Sequence, residues 1–211
     1  MEKIRTIFAG TPDFALPSLK LLKTREDVEL VSVYTQPDRP AGRGRKIQES
    51  NVKREAKGLG LPLLQPASLR NSEYLLEFRQ QRPKLLIVVA YGLLIPKEIL
   101  SVPDYCINVH ASLLPKWRGA APIQRAIMQG DKKTGVSIMR IVEELDAGPI
   151  WTLRECEISN TDTTETLSRK LSEIGASALD TAITMIQNNS IQEVDQRHLQ
   201  TSYAKKINGS D

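Results

Sequence analysis

KLLIVVAYG, residues 84–92, is the stretch that decides the fold class of this chain. Its apolar residues continue without alternation, as in a strand buried on both faces of a parallel sheet. Shorter β runs precede it at 4–10 (IRTIFAG) and 28–35 (VELVSVYT), and another follows at 105–110 (YCINVH). Stretches whose apolar residues recur at helical intervals separate these runs. The rhythm predicts an α/β fold, a Rossmann-like domain with a doubly wound, mostly parallel sheet.

The helices of this pattern are predicted from apolar spacing and from their end signals. DFALPSLKLLK (13–23) tolerates a proline near its start, and APIQRAIMQG (121–130) opens on one. VKREAKGLG (52–60) ends at glycine, and YLLEFRQQRP (74–83) ends at proline. Each helix therefore lies between two of the predicted strands.

The pattern changes after residue 130. GVSIMRIVEE (135–144) and GPIWTLRECEI (148–158) are strands with no helix between them, which predicts an antiparallel C-terminal edge. A long helix follows over 161–187, with Asp162 and Glu165 as its start signal. One apolar stripe runs along it: Leu167, Leu171, Ile174, Ala178 and Ala182. Residues 1–188 are predicted as one domain and 189–211, polar and irregular, as a linker or tail.

Bulk composition is that of an ordinary globular protein. With 40% hydrophobic residues over 211 positions, the chain has apolar surface for a conventional core. The net charge of +4 by itself indicates no nucleic-acid partner, and two cysteines make no disulfide framework. The start lacks a signal peptide, and no segment reaches the roughly 20 apolar residues of a membrane span. A soluble, cytoplasmic protein is expected.

Asn108 and His110 end the predicted strand 105–110. Side chains two apart on a strand share a face, and α/β sheets place ligands at the carboxyl ends of their strands. An amide and an imidazolium both donate hydrogen bonds, so the pair suits a developing oxyanion. The alternative is a strand-end histidine bonded to a backbone carbonyl beside a turn-capping asparagine, which is the more common case for an isolated Asn-X-His.

Asp146, in the EELDAGPI turn (143–150), would orient and charge that imidazole if the fold brought it near. The alternative is an aspartate that caps its own Asp-X-Gly turn. Glu143 and Glu144 are competing carboxylates that we expect to be solvated.

Several stretches together resemble the methionyl-tRNA formyltransferase family and, more broadly, folate-dependent formyltransferase domains. They occur in the family's order: FAGTPDF (8–14), QPDRPAGRGRK (36–46), VVAYGLLIP (88–96), NVHASLLPKWRGAAPIQRAI (108–127) and ELDAGPI (144–150). The resemblance implies that Asn108, His110 and Asp146 are catalytic and that no metal is required. It implies transfer of a formyl group from 10-formyltetrahydrofolate to the α-amine of methionyl-initiator tRNA, the reaction that prepares translation initiation.

The resemblance also implies a folate slot. Its members are Ser112, Leu113, Leu114 and Pro115 on one wall and Val89, Tyr91 and Gly92 on the other. Considered without the resemblance, the two leucines would more often be core residues. Tyr91 would be a buried aromatic residue whose hydroxyl contacts solvent. Trp117 and Arg118 are expected beside the substrate entrance, although Trp117 would serve equally in packing.

Loop 36–46 is implied to contact tRNA through Arg39, Arg43, Arg45 and Lys46. With Asp38 its net charge is +3, and its glycines and prolines are expected to prevent any regular element. The alternative is a solvated surface loop.

Members of the family continue beyond a SYAKKI-like stretch into a β-barrel-like domain, whereas this chain ends at NGSD. That second domain is therefore expected to be absent, which puts binding of whole tRNA in doubt, and a monomer is expected. Rival functions are a formyltransferase acting on an amino-sugar nucleotide or a purine precursor, and a non-catalytic folate- or RNA-binding fragment.

Overall fold

The computed structural model describes residues 2–41, 46–197 and 200–209. Its contacts divide the chain into two compact units, Met1–Ile107 and Asn108–Asp211. Within the described residues, no helix is both long and apolar enough to cross a bilayer.

The first unit is an α/β layer built on a parallel sheet. Its strands are β1 (Ile4–Gly10), β2 (Val28–Tyr34), β3 (Arg39–Ala41), β4 (Lys46–Gln48), β5 (Leu63–Leu64) and β6 (Leu85–Val89). Its helices are α1 (Leu16–Thr24), α2 (Asn51–Gly58), α3 (Ser72–Gln80) and α4 (Lys97–Leu100). Parallel neighbours follow the order β5-β2-β1-β6, with Thr6 opposite Leu85 and Ile4 opposite Val28.

The apolar stretch 84–92 forms β6 as predicted. Leu85, Ile87 and Val89 are fully buried, and alternation is absent because both faces of the strand are covered. The first helix starts later than predicted, at Leu16, after a 3-10 turn over Asp13–Ala15. A proline is tolerated at its second position because the amides of a first helical turn have no partner within the helix.

The prediction that glycine and proline exclude regular structure from 36–46 is wrong. β3 and β4 pair antiparallel, with Arg39 opposite Gln48 and Pro40 opposite Ile47. Both strands of a two-stranded ribbon are edges, so proline's missing N–H removes no bond to a third strand.

The strand β7 (Tyr105–His110) runs across the boundary between the units, and the second unit continues with an antiparallel pair. This pair is β8 (Lys133–Arg140) and β9 (Ile150–Glu157), joined from Lys133 opposite Glu157 to Met139 opposite Ile150. The helices are α5 (Pro122–Met128) and α6 (Thr164–Gln187). A mostly parallel α/β sheet fold with an antiparallel edge is thus confirmed.

Helix α6 packs on β8 and β9. Leu167, Leu171, Ala178 and Ala182 of the predicted stripe are fully buried and form the inner face of the helix, whereas Ile174 is half-buried. The start signal was misplaced by one residue, because Thr163 and Thr166 form the capping box. Gly175 allows α6 to pack closely on Val109, because a Cβ at this position would lie 3.0 Å from Cγ1 of Val109.

The described residues after α6 are irregular, as predicted, but they are attached to the second unit. Val194 forms a bridge with Ile150, and Tyr203 forms one with Arg118. The domain boundary predicted at 188/189 stays a prediction.

Candidate active site

Asn108 and His110 lie at the carboxyl end of β7, on the same face of the strand. His110 is 6% exposed, and Asn108 is half-buried. Val109, between them, points the other way into the core and is 3% exposed. The strand therefore presents an amide and an imidazole together, backed by packed apolar side chains.

Asp146 joins this pair from the turn between β8 and β9. Its Oδ2 lies 3.8 Å from Nδ1 of His110, and its Oδ1 accepts a long 3.5 Å bond from Nδ2 of Asn108. The side chain of Asp146 is 13% exposed. The structure thus brings the three predicted catalytic side chains together, while their catalytic role stays a prediction. Glu143 and Glu144 are exposed, as expected.

The second nitrogen of His110 faces a backbone carbonyl. Nε2 lies 2.8 Å from the oxygen of Trp117, and since a carbonyl only accepts, Nε2 carries the proton of this bond. Nδ1 is then a donor toward Asp146 only in the doubly protonated imidazolium. The carbonyl contact expected of a structural strand-end histidine therefore coexists with the carboxylate contact expected of a catalytic one.

The carboxylate of Asp146 is held by a backbone donor that the sequence did not suggest. The N–H of Gly119 donates to Oδ2 at 2.8 Å. Gly119 has a φ of 113°, and a Cβ there would lie 2.9 Å from the carbonyl oxygen of Ala204. Asp146 itself has a φ of 48°, in the left-handed region that few L-residues adopt. One carboxylate oxygen is thus fixed by a neutral donor.

Arg118 is buried, and its expected place beside a substrate entrance stays a prediction. Its side chain is 1% exposed, and its Nε donates to Oε1 of Gln196 at 2.9 Å. The Nε2 of Gln196 in turn donates to the carbonyls of Asp146 and Gly148 at 2.8 Å and 2.7 Å. Trp117 is half-buried and donates from Nε1 to Asp131. Sequence reasoning missed Gln196 because it lies in a segment without any pattern.

The residues predicted for one wall of a folate slot differ in burial. Ser112 is fully buried and donates to the carbonyl of Lys116 at 2.5 Å. Leu114 is 4% exposed and packs in a core cluster with Met139 and Ile150. Leu113 and Pro115 are half-buried and keep accessible surface. Folate contact by this loop stays a prediction, and burial favours Leu113, Pro115 and the backbone for it.

The other predicted wall lies in the first unit. Val89 and Tyr91 are buried, whereas Gly92 is exposed with a φ of 78°. Burial raises the pKa of Tyr91 well above that of an ordinary tyrosine. The carbonyl of Tyr91 accepts bonds from Oγ1 of Thr11 at 2.9 Å and Nε2 of Gln36 at 2.8 Å, which fixes the loop backbone.

Of the predicted tRNA-binding residues, Arg39 is exposed on β3. Arg43 and Arg45 lie outside the described residues, and the backbone of Lys46 begins β4. Asp38 precedes this hairpin, and its Oδ2 lies 2.6 Å from Nζ of Lys53. The hydrogen bond from Lys53 holds the pKa of Asp38 below its usual range.

No group of three His, Cys, Asp or Glu suitable for a metal occurs among 2–41, 46–197 and 200–209.

Comparison with known proteins shows the family of the chain. Residues 2–183 match the family described as Formyl transferase. The chain is 47% identical over 211 residues to methionyl-tRNA formyltransferase of Hydrogenovibrio crunogenus, covering 100% of this chain and 67% of that protein.

Two solved structures show the same fold at lower identity. Phosphoribosylglycinamide formyltransferase from Bacillus halodurans gives a TM-score of 0.70 at 21% identity, covering 89% of this chain and 100% of that one. HypX from Aquifex aeolicus in complex with tetrahydrofolic acid gives 0.71 at 16%, covering 99% and 30%. From the matched family and the 47% identical relative, the chain belongs to the formyl transferases and, among them, to the methionyl-tRNA formyltransferase family.

Proposed function

We propose that this chain transfers the formyl group of 10-formyltetrahydrofolate to the α-amino group of methionyl-initiator tRNA, in the cytoplasm and as a monomer. The observation that carries the proposal is the cluster in which Asp146 contacts both Asn108 and His110. Family membership supplies the formyl chemistry, and the relative's name supplies the acceptor. The HypX complex supports a folate-type donor.

The chemistry requires one bond to form, one to break and one proton to move. The neutral amine attacks the formyl carbon and forms the new carbon–nitrogen bond. The bond between the formyl carbon and N10 of the folate breaks. One proton passes from the attacking nitrogen to N10. Asp146, through water, is the group we assign to this proton transfer.

Negative charge builds on the formyl oxygen during the attack. The Nδ2 of Asn108 is the first donor we assign to this oxygen, because amide donors fixed at the end of a strand need no reorganisation during the reaction. His110 becomes the second when its Nε2 exchanges the Trp117 carbonyl, 2.8 Å away, for the formyl oxygen. The carboxylate of Asp146 lies 3.8 Å from Nδ1, and only an imidazolium donates from both ring nitrogens.

The folate is assigned to Ser112–Pro115 and to Val89, Tyr91 and Gly92. The backbone of tRNA is assigned to residues 36–46, through Arg39, Arg43, Arg45 and Lys46. Phosphates attract such cations without reading sequence, so this contact supplies affinity that weakens with salt. The negative charge of Asp38 weakens this attraction only in part, because the ammonium of Lys53 forms an ion pair with its carboxylate.

An acceptor comparison tests the proposal. Purified chain with 10-formyltetrahydrofolate is offered methionyl-initiator tRNA, an amino-sugar nucleotide and a purine-precursor amine at low salt. We expect formyl-methionyl-tRNA as the main product. A clear preference for either small amine would overturn the acceptor assignment, and formate release without any acceptor product would indicate a hydrolase.

A further inference from the structure

We propose that Gln196 is a positioning residue for Asp146, so that the segment after α6 completes the active site. This inference rests on the proposed function. The segment concerned, called the C-terminal segment below, comprises residues 194–197 and 200–204. Two of its residues, Val194 and Tyr203, form isolated bridges with Ile150 and Arg118.

Gln196 uses its whole amide group inside the protein. Its side chain is 8% exposed, and the two protons of Nε2 serve the carbonyls of Asp146 at 2.8 Å and Gly148 at 2.7 Å. These carbonyls flank Ala147, so one side chain ties both ends of the Asp-Ala-Gly turn. An exposed linker residue would not satisfy two buried carbonyls in this way.

Arg118 orients that amide from the opposite side. Its Nε donates to Oε1 of Gln196 at 2.9 Å, which fixes which end of the amide faces the turn. The backbone of Arg118 is held by the same segment: its N–H donates to the carbonyl of Ser202 at 2.9 Å, and its carbonyl accepts from Ala204 at 2.7 Å. Arg118 is 1% exposed; its Nη1 lies 3.4 Å from Oε1 of Glu144, and its Nη2 is buried without a hydrogen-bond partner among the described residues.

The C-terminal segment therefore reaches Asp146 by two routes. Gln196 holds the main chain of Asp146 by donating to its carbonyl. Ser202 and Ala204 hold Arg118, whose neighbour Gly119 donates to the carboxylate at 2.8 Å. The left-handed φ of 48° at Asp146 persists because the surrounding bonds determine it. Without Gln196, we expect this turn to relax and the carboxylate to move away from His110.

Kinetics of Gln196→Ala and Gln196→Glu test the role. Glutamate keeps the acceptor for Arg118 and loses the donors to the turn. For both variants we expect kcat of formyl transfer to fall about 10- to 100-fold, the scale of a displacement near 1 Å, with KM for tRNA and folate within a few-fold. The matched control is Gln192→Ala, which changes an exposed glutamine between α6 and the C-terminal segment. It should leave kcat unchanged.

A double-variant cycle separates positioning from general stability. In an Asp146→Asn background, adding Gln196→Ala should cost no more than about 2-fold, because the group being positioned is already disabled. A full additional loss, or an unchanged kcat in the single variant, would overturn the inference.

Hydrogen exchange makes the test independent of activity. If the wild-type chain formylates nothing, the proposed function fails, but exchange over residues 143–150 still reports on the turn. We expect faster exchange there in Gln196→Ala than in Gln192→Ala. Equal exchange would show that Gln196 does not hold the turn.

Discussion

Asp146 and Asp38 each lie between two strands, in stretches of sequence that contain proline and glycine, yet their partners differ in kind. Asp38 meets the ammonium of Lys53 at 2.6 Å and the amide of Gln65 at 2.9 Å. Asp146 meets the N–H of Gly119, the amide of Asn108 and the imidazole of His110. The carboxylate of Asp38 therefore faces a permanent cation, whereas that of Asp146 faces neutral N–H donors and an imidazole. The difference supports a structural interpretation of Asp38 and the catalytic role proposed for Asp146.

Among variants of the two aspartates and their partners, the largest effect is expected from Asp146→Asn. The amide keeps the size of the carboxylate but accepts no proton, so kcat for formyl transfer should fall about 10²- to 10⁴-fold. Glu143→Gln, an exposed carboxylate in the same turn, is the control and should change kcat little. Equal effects of the two variants would erase the distinction drawn for Asp146.

The next effect concerns the donor that fixes Asp146. In Gly119→Ala, the new methyl group would lie 2.9 Å from the carbonyl of Ala204, at a φ of 113° that alanine rarely adopts. We expect a 10- to 100-fold lower kcat, on the scale of about 10²-fold for a displaced catalytic group, and a lower Tm. Gly130→Ala shares a positive φ but has open space, so it should lower Tm without lowering kcat. Parallel losses in both variants would point to strain alone.

A smaller effect is expected at the hairpin that follows Asp38. Arg43→Ala should weaken use of tRNA several-fold and reduce the slope of log affinity against log salt by about 0.7 to 0.9, the value for one phosphate contact. Affinity for folate should not change. Lys23→Ala, an exposed cation on α1, is the control. An unchanged salt slope would remove Arg43 from the tRNA contact.

The smallest effect is expected from Asp38→Asn, measured as Tm against pH. Lys53 lowers the pKa of Asp38, so the charged carboxylate stabilises the folded state above the ordinary pKa of 3.8. This contribution is lost as the pH falls below that value toward the folded pKa. The variant should therefore melt below wild type at neutral pH, and the gap should close in acid. A gap that widens in acid would contradict the assignment.

Elements that follow from local pattern were predictable from the sequence. Continuous apolar residues gave β6, and two-residue periodicity placed Asn108 and His110 on one face. The pairing of Arg39–Ala41 with Lys46–Gln48 was missed because composition rules treat proline as a breaker, although Pro40 lies where both strands are edges.

Long-range contacts could not be predicted in the same way. The pairing of Arg118 with Gln196 joins residues 78 apart, and neither residue type indicates its partner. The proximity of Asp146 to His110 was expected from the resemblance, not from any spacing, because a turn carries no signal of what it faces. Burial of Leu114 and Ser112 likewise depends on packing against β8 that only the fold defines.

Single-turnover transfer by His110→Ala tests most directly whether the cluster around Asp146 performs the chemistry. The chain is saturated with 10-formyltetrahydrofolate, mixed with methionyl-initiator tRNA, and the rate of formyl-methionyl-tRNA formation is compared with wild type. We expect transfer to be abolished while folate affinity stays within a few-fold. Transfer at the wild-type rate by a variant that still binds folate would contradict the account.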